Sequence, residues 1–180
     1  MRSNTFRNSI LILISLFVTL SFFNLDTVSA HAVEQKPIKV AYKDLSPQAK
    51  KQVECLAQNM YYEAGWEPVE GQVAVAMVTM NRVEDGRFGN SICGVVKQKV
   101  QNTCQFTWFC ENKVLTNINH NVYNDIKNLA AFVYANHEKI NDPSKGALFY
   151  HADYVRPGWK NMVYLVKIGH HKFYNRKEDV

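Results

Sequence analysis

The chain has 180 residues, 47% of them apolar and 21% charged, with a net charge of +5 and a pI near 9.0. That size and balance describe one globular domain with a single core and exclude a multidomain enzyme, a polytopic membrane protein and a disordered chain. The charge suits an anionic partner, whether nucleic acid, phospholipid or an acidic wall polymer, without choosing among them.

Arg2 and Arg7 precede fourteen uncharged residues, Ile10 to Phe23. A spanning helix needs about 20 apolar residues, so the run is short for an anchor and right for a signal peptide. Cleavage fits after Ala30 or after Ala32. Residues 1–30 are read as a signal peptide, which implies a secreted or periplasmic protein with no stable membrane insertion after cleavage. Removing them leaves +4, since they carry two arginines and one aspartate. Export permits disulfides. Cys55, Cys93, Cys104 and Cys110 allow three pairings that sequence does not distinguish. The separation of six between Cys104 and Cys110 favours a small closed loop, leaving Cys55 with Cys93.

Residues 31–44 read as an exposed lead-in, and 45–180 as one domain. Ser46 before Pro47 is an N-cap with proline at the first helical position. Ala49, Val53, Leu56, Met60 and Ala64 then recur at spacings of 4, 3, 4 and 4, one face of a helix that Gly65 stops. Pro68 signals a second helix through Val83, apolar on all sides from Val73 to Val78 and therefore predicted to be central and buried. Ser91 caps a short helix through Lys99. Residues 101–119 read as an ordered loop, and Asn121 to Ala135 as another helix. Ala147–Ala152 and Met162–Ile168 read as strands around a turn at Pro157-Gly158, and Phe173-Tyr174 as a short apolar piece. Helices first and a small sheet last make an α+β domain.

Glu63 is the most informative residue. It shares the helical face of Leu56 and Met60 and sits in the last turn, where the helix dipole opposes an anion. Burial and dipole both raise its pKa and keep it protonated, as a general acid for glycoside cleavage requires. The alternative is a glutamate turned outward at a frayed helix end and paired with a lysine. Gln105, Phe106, Trp108, Tyr150 and His151 combine aromatic faces with hydrogen-bonding groups, the mixture a sugar-binding cleft needs. Taken singly, Phe106, Trp108 and Tyr150 each read more readily as core residues.

Scattered lysines and export argue against a nucleic-acid partner. His170 and His171 are adjacent and point apart, and His120, His137 and His151 lack ligand spacing, so neither a metal nor a cofactor is expected. A cysteine nucleophile with His151 or His171 requires a thiol outside the disulfides.

The motifs then stand in one order. Asn59-Met60-Tyr61-Tyr62-Glu63-Ala64, Gly71-Gln72-Val73-Ala74, Asn81-Arg82-Val83 and Cys93-Gly94-Val95-Val96 come first. Cys104-Gln105-Phe106-Thr107-Trp108, Gly146-Ala147-Leu148-Phe149-Tyr150-His151-Ala152, Trp159 and Ile168-Gly169-His170-His171-Lys172-Phe173-Tyr174 follow. Over residues 53–175 the chain resembles the catalytic domain of the cell wall hydrolases related to the spore cortex-lytic enzyme SleB. The resemblance implies a mainly helical, lysozyme-like domain, similar to lytic transglycosylases, with a small C-terminal antiparallel sheet. It implies cleavage of peptidoglycan glycan strands between N-acetylmuramic acid and N-acetylglucosamine, by a monomer. It places the family's glutamate on Glu63 and adds Asn81 to the substrate-binding candidates. Where the family reads Glu-Ala-Arg-Gly-Glu, this chain reads Glu63-Ala64-Gly65-Trp66-Glu67, losing a cation beside the acid and gaining an aromatic face. A stem-peptide amidase or peptidase and a non-catalytic wall-binding module are the alternatives.

Overall fold

A computed structural model describes residues 37–111, 113 and 118–180. The expected signal peptide at 1–30 lies outside them. Helix α1 spans Pro47–Ala64, with the Ser46 side chain accepting from the Ala49 N–H at 3.2 Å. That cap removes one of the unpaired donors at the helix start. Gly65 follows α1 in right-handed conformation, and a Cβ there would stand 2.5 Å from the Tyr61 carbonyl oxygen. Gly65 thus ends the helix where its position predicts, in close approach to the preceding turn.

Helix α2, Val69–Asp85, is the central element. Ala76, Met77 and Met80 join Val53, Leu56 and Met60 of α1 in one core cluster. Ala74, Val75 and Val78 face the other way and pack on Ala147, Ile168 and Phe173. An all-round apolar helix is what two opposed packing surfaces require. Helix α3, Ile92–Val96, is shorter than its predicted extent to Lys99, because Lys99–Val100 (β1) pairs with Thr103–Cys104 (β2) in a small hairpin. Helix α4, Thr107–Cys110, follows at once, so regular structure occupies part of the expected loop 101–119. Helix α5, His120–Asn136, packs its Ile126, Ala130 and Val133 into the α1 cluster.

The C-terminal sheet has three antiparallel strands in the order β3 (Phe149–Ala152), β5 (His171–Arg176), β4 (Met162–Ile168). The piece read as Phe173-Tyr174 is thus the middle strand. Its alternation of buried His171, Phe173 and Asn175 with more exposed Lys172 and Tyr174 is the period of a sheet with two unlike faces. The fold is α+β and mainly helical, as the element order predicts.

Residues 38–44 of the expected lead-in are tied down. Buried Asn136 accepts from the Ile38 N–H at 2.7 Å and donates to its carbonyl at 3.0 Å, and Tyr42 packs on the core. Two backbone bonds and an aromatic anchor explain why this polar stretch docks on α5. Among the described residues, no helix is long and apolar enough to cross a membrane.

Candidate active site

Glu63 ends the α1 stripe and is half-buried, as its helical phase predicts. Burial pushes its carboxyl above the ordinary range. The Tyr150 hydroxyl, Arg82 and Lys113 oppose the shift and only partly offset it. The outward alternative, paired to a lysine, is not what forms. Tyr150 Oη donates to Glu63 Oε2 at 3.2 Å. Burial and the adjacent carboxyl hold the Tyr150 phenol well above its own usual value, so it remains a donor.

Two polar side chains that were given no role at the sequence level are buried near Glu63. Arg82, 2% exposed on α2, donates through Nε to the Leu148 carbonyl at 2.8 Å. Its guanidinium carbon lies 5.0 Å from the Phe88 ring centroid, 5.5 Å from Phe106 and 5.9 Å from Phe149. Burial lowers its pKa to about 10, against the pull of Tyr150 and Glu63, so the charge persists at neutral pH. Its Nη1 has no partner among the described residues. Arg82 therefore supplies a cation near Glu63 despite the departure at Gly65-Trp66. Asn59, one turn before Glu63 and fully buried, donates to Thr79 Oγ1 at 3.3 Å and accepts from Trp108 Nε1 at 3.1 Å. A fully buried amide with both ends engaged is a rigid strut. Its one legible signal was position: Asn59 precedes Glu63 by four residues on the same helical stripe.

The other candidates divide. Trp108 is 5% exposed and covered by Tyr62, which stacks on it with centroids 4.9 Å apart. Phe106 is 4% exposed beneath Arg82. Neither presents an open ring face for a sugar. Gln105 is exposed, with its backbone N–H bonded to the Gln98 carbonyl. Asn81 donates to Asp142 Oδ2 at 3.0 Å and to the Ala147 carbonyl at 3.1 Å, pinning the loop before β3. Those bonds occupy its amide. His151 leaves β3 on the face opposite Tyr150, stacking on Tyr174 at 5.1 Å. Adjacent strand residues cannot share a face.

A second carboxylate, Glu67, is committed elsewhere. Oε2 accepts the His170 N–H at 2.9 Å and Oε1 lies 3.1 Å from His170 Nδ1, which ties the α1–α2 turn to the β4–β5 turn. Burial alone would raise its pKa, but the His170 bonds and neighbouring histidine charge outweigh it and hold the group low. His171, 7% exposed, packs edge-on against Tyr150 at 5.3 Å, and burial lowers its pKa.

Cys55 bonds Cys93 and Cys104 bonds Cys110, the pairing the spacing favours. No free thiol is left for a cysteine nucleophile with His151 or His171.

A family model described as cell wall hydrolase matches residues 66–174, beginning just beyond Glu63 and including Arg82, Trp108 and Tyr150. The chain is 33% identical over 100 residues to the spore cortex-lytic enzyme of Bacillus subtilis (strain 168), a stretch covering 54% of this chain and 28% of that enzyme. No solved structure matches the chain.

Proposed function

The chain belongs to the cell wall hydrolase family, and from that premise we propose that it cleaves the glycan strands of peptidoglycan as a lytic transglycosylase with Glu63 as its single acid and base. The observation that carries this reading is the half-buried Glu63 carboxyl, its pKa raised by burial and its Oε2 held by the Tyr150 hydroxyl. A carboxyl whose burial makes it hold its proton more tightly than an exposed one is suited to protonate a leaving glycosidic oxygen.

The reaction runs in two proton transfers through one residue. Protonated Glu63 donates to the oxygen between N-acetylmuramic acid and N-acetylglucosamine, and that C–O bond breaks. The carboxylate left behind takes the proton of the muramoyl 6-hydroxyl as its oxygen attacks the anomeric carbon. An anhydro ring closes, and neither a water nor a second carboxylate enters. The charges acting on Glu63 fit such a cycle. They are the cations Arg82 and Lys113, which favour the carboxylate once the proton has left. Glu67, engaged by His170, is held away from the role of partner acid.

The chain is read as exported, through the signal peptide at residues 1–30 and into a compartment where its two disulfides persist. The test is digestion of purified sacculi by wild type and Glu63→Gln with mass analysis of the products. Anhydromuramoyl ends with wild type and none with the variant are expected. Reducing muramic acid ends would mean hydrolysis, new amino groups a stem-peptide enzyme, and binding without solubilisation a wall-binding module.

A further inference from the structure

Tyr150 and His151 divide the C-terminal sheet into two working faces. The Tyr150 face carries Phe173 and His171 and meets Glu63. On the other face His151 and Tyr174 stack with their planes at 15°. Trp159 stands edge-on to both, 5.4 Å from His151 and 6.1 Å from Tyr174. Trp159 is 43% exposed, and a cavity opens on either side of it. One, of about 360 Å³, is bordered by His151, Arg156, Lys172 and Tyr174. The other, of about 290 Å³, is bordered by Phe149, Lys160 and Arg176. The first lies within the size of small-ligand sites, about 300–1,000 Å³.

The charge around Trp159 is positive and partly uncommitted. Asp153, the carboxylate bordering the larger cavity, is taken by Lys167 at 2.7 Å, and Glu178 of the smaller one lies 3.7 Å from Arg176. Among the described residues, Arg156, Lys160 and Lys172 form no salt bridge. An aromatic platform with spare cations matches a sugar ring that carries a carboxylate: C–H faces stack on the indole while the anion meets Arg156 or Lys172.

We propose that this outer sheet face is a second binding site, for a carboxylate-bearing saccharide of the wall glycan, separate from the Glu63 site. The proposal rests on the reading of peptidoglycan as substrate. A strand seated here is held to the enzyme without occupying the acid, so the sheet anchors on one face and cleaves on the other.

The test is an NMR titration of the Glu63→Gln protein with the N-acetylglucosaminyl-N-acetylmuramic acid disaccharide, its tetrapeptide derivative and neutral chitobiose. The Trp159 indole N–H and the Lys172 amide are expected to shift with the acidic disaccharide, and chitobiose to bind there at least fivefold more weakly. The tetrapeptide derivative tells whether the lactyl or the peptide carboxylate is preferred, according to which ligand binds tighter. Arg156→Gln with Lys172→Gln, both surface changes, should reduce the acidic disaccharide to the chitobiose level. Trp159→Ala should abolish the outer shifts while those at Tyr150 persist. An unmoved Trp159 indole at concentrations that shift Tyr150 would overturn the proposal. So would loss of both sets of shifts in Trp159→Ala, since one continuous cleft would then be present. The glutamate reading fails by a different measurement, sacculus digestion by Glu63→Gln, which the titration does not use.

Discussion

Tyr150 and Glu63 join the two halves of the fold: the phenol on β3 donates to the carboxyl at the end of α1 at 3.2 Å, across 87 residues of chain. A hydrogen bond to the charged form lowers a carboxyl pKa, and this one works against burial. Tyr150→Phe removes it, so the Glu63 pKa rises further. The alkaline limb of the pH–rate profile on sacculi should move to higher pH. The rate at neutral pH should fall about tenfold, ~1.4 kcal/mol of transition-state stabilisation. An alkaline limb that stays in place would disconnect Tyr150 from the acid.

Glu63 itself should reduce stability in return for function. Its folded pKa is raised above the unfolded value by burial, so above the folded pKa the native state carries a poorly solvated charge. Below the unfolded pKa both states hold the proton and the penalty vanishes. Glu63→Gln should therefore melt above wild type at pH 8, by about 1 kcal/mol of stability, with the gap closing as pH falls toward 4. Turnover should drop about 10²–10⁴-fold. Thermal melts across that range check the sign, and matching melting points at pH 8 would mean the carboxyl is not penalised.

What was legible in the chain followed from periodicity and caps. The stripe from Val53 to Ala64 and the Ser46 cap placed α1, and the apolar run from Val73 to Val78 placed α2 between two packing surfaces. Glu63 was legible because helical phase is a local property. The roles of Arg82 and Asn59 were not, since both depend on partners brought in by tertiary packing. Arg82 finds Leu148, 66 residues away, and Asn59 finds Trp108, 49 residues away. Tyr150 and His151, both read as cleft candidates, stand on opposite faces of β3 once that strand is fixed against β5. The middle strand was missed because His171, Asn175 and Lys172 dilute its apolar pattern, though Phe173 at its centre is fully buried.

Gly169 is held to glycine by geometry. Its φ is +54°, and a Cβ would stand 1.9 Å from Glu67 Oε2 and 3.2 Å from Pro68 Cδ. Gly169→Ala should cost about 1–2 kcal/mol for the left-handed backbone alone, and more as Glu67 is pushed off His170. The depressed pKa of Glu67 means that its contribution is present above the unfolded carboxylate range and lost as pH falls through the folded value. The stability gap between wild type and variant should therefore narrow in acid. A gap that is constant from pH 7 to pH 3 would show that the backbone strain acts alone.

The two disulfides should separate stability from function. Cys55–Cys93 ties α1 to α3 across 38 residues, whereas Cys104–Cys110 spans 6. If loop entropy dominates, losing the first costs about 4 kcal/mol and losing the second about 2 kcal/mol. The smaller loop carries Phe106 and Trp108, which pack on Arg82 and Tyr62, and Trp108 also donates to Asn59 one turn before Glu63. Cys104→Ser with Cys110→Ser should accordingly lose more turnover than its modest destabilisation explains. Cys55→Ser with Cys93→Ser should lose mainly stability, retaining turnover per folded molecule. Urea unfolding and sacculus digestion on the same samples give both quantities. If the short-loop variant proved the less stable of the two, or kept full turnover, the assignment of that loop to the site would fall.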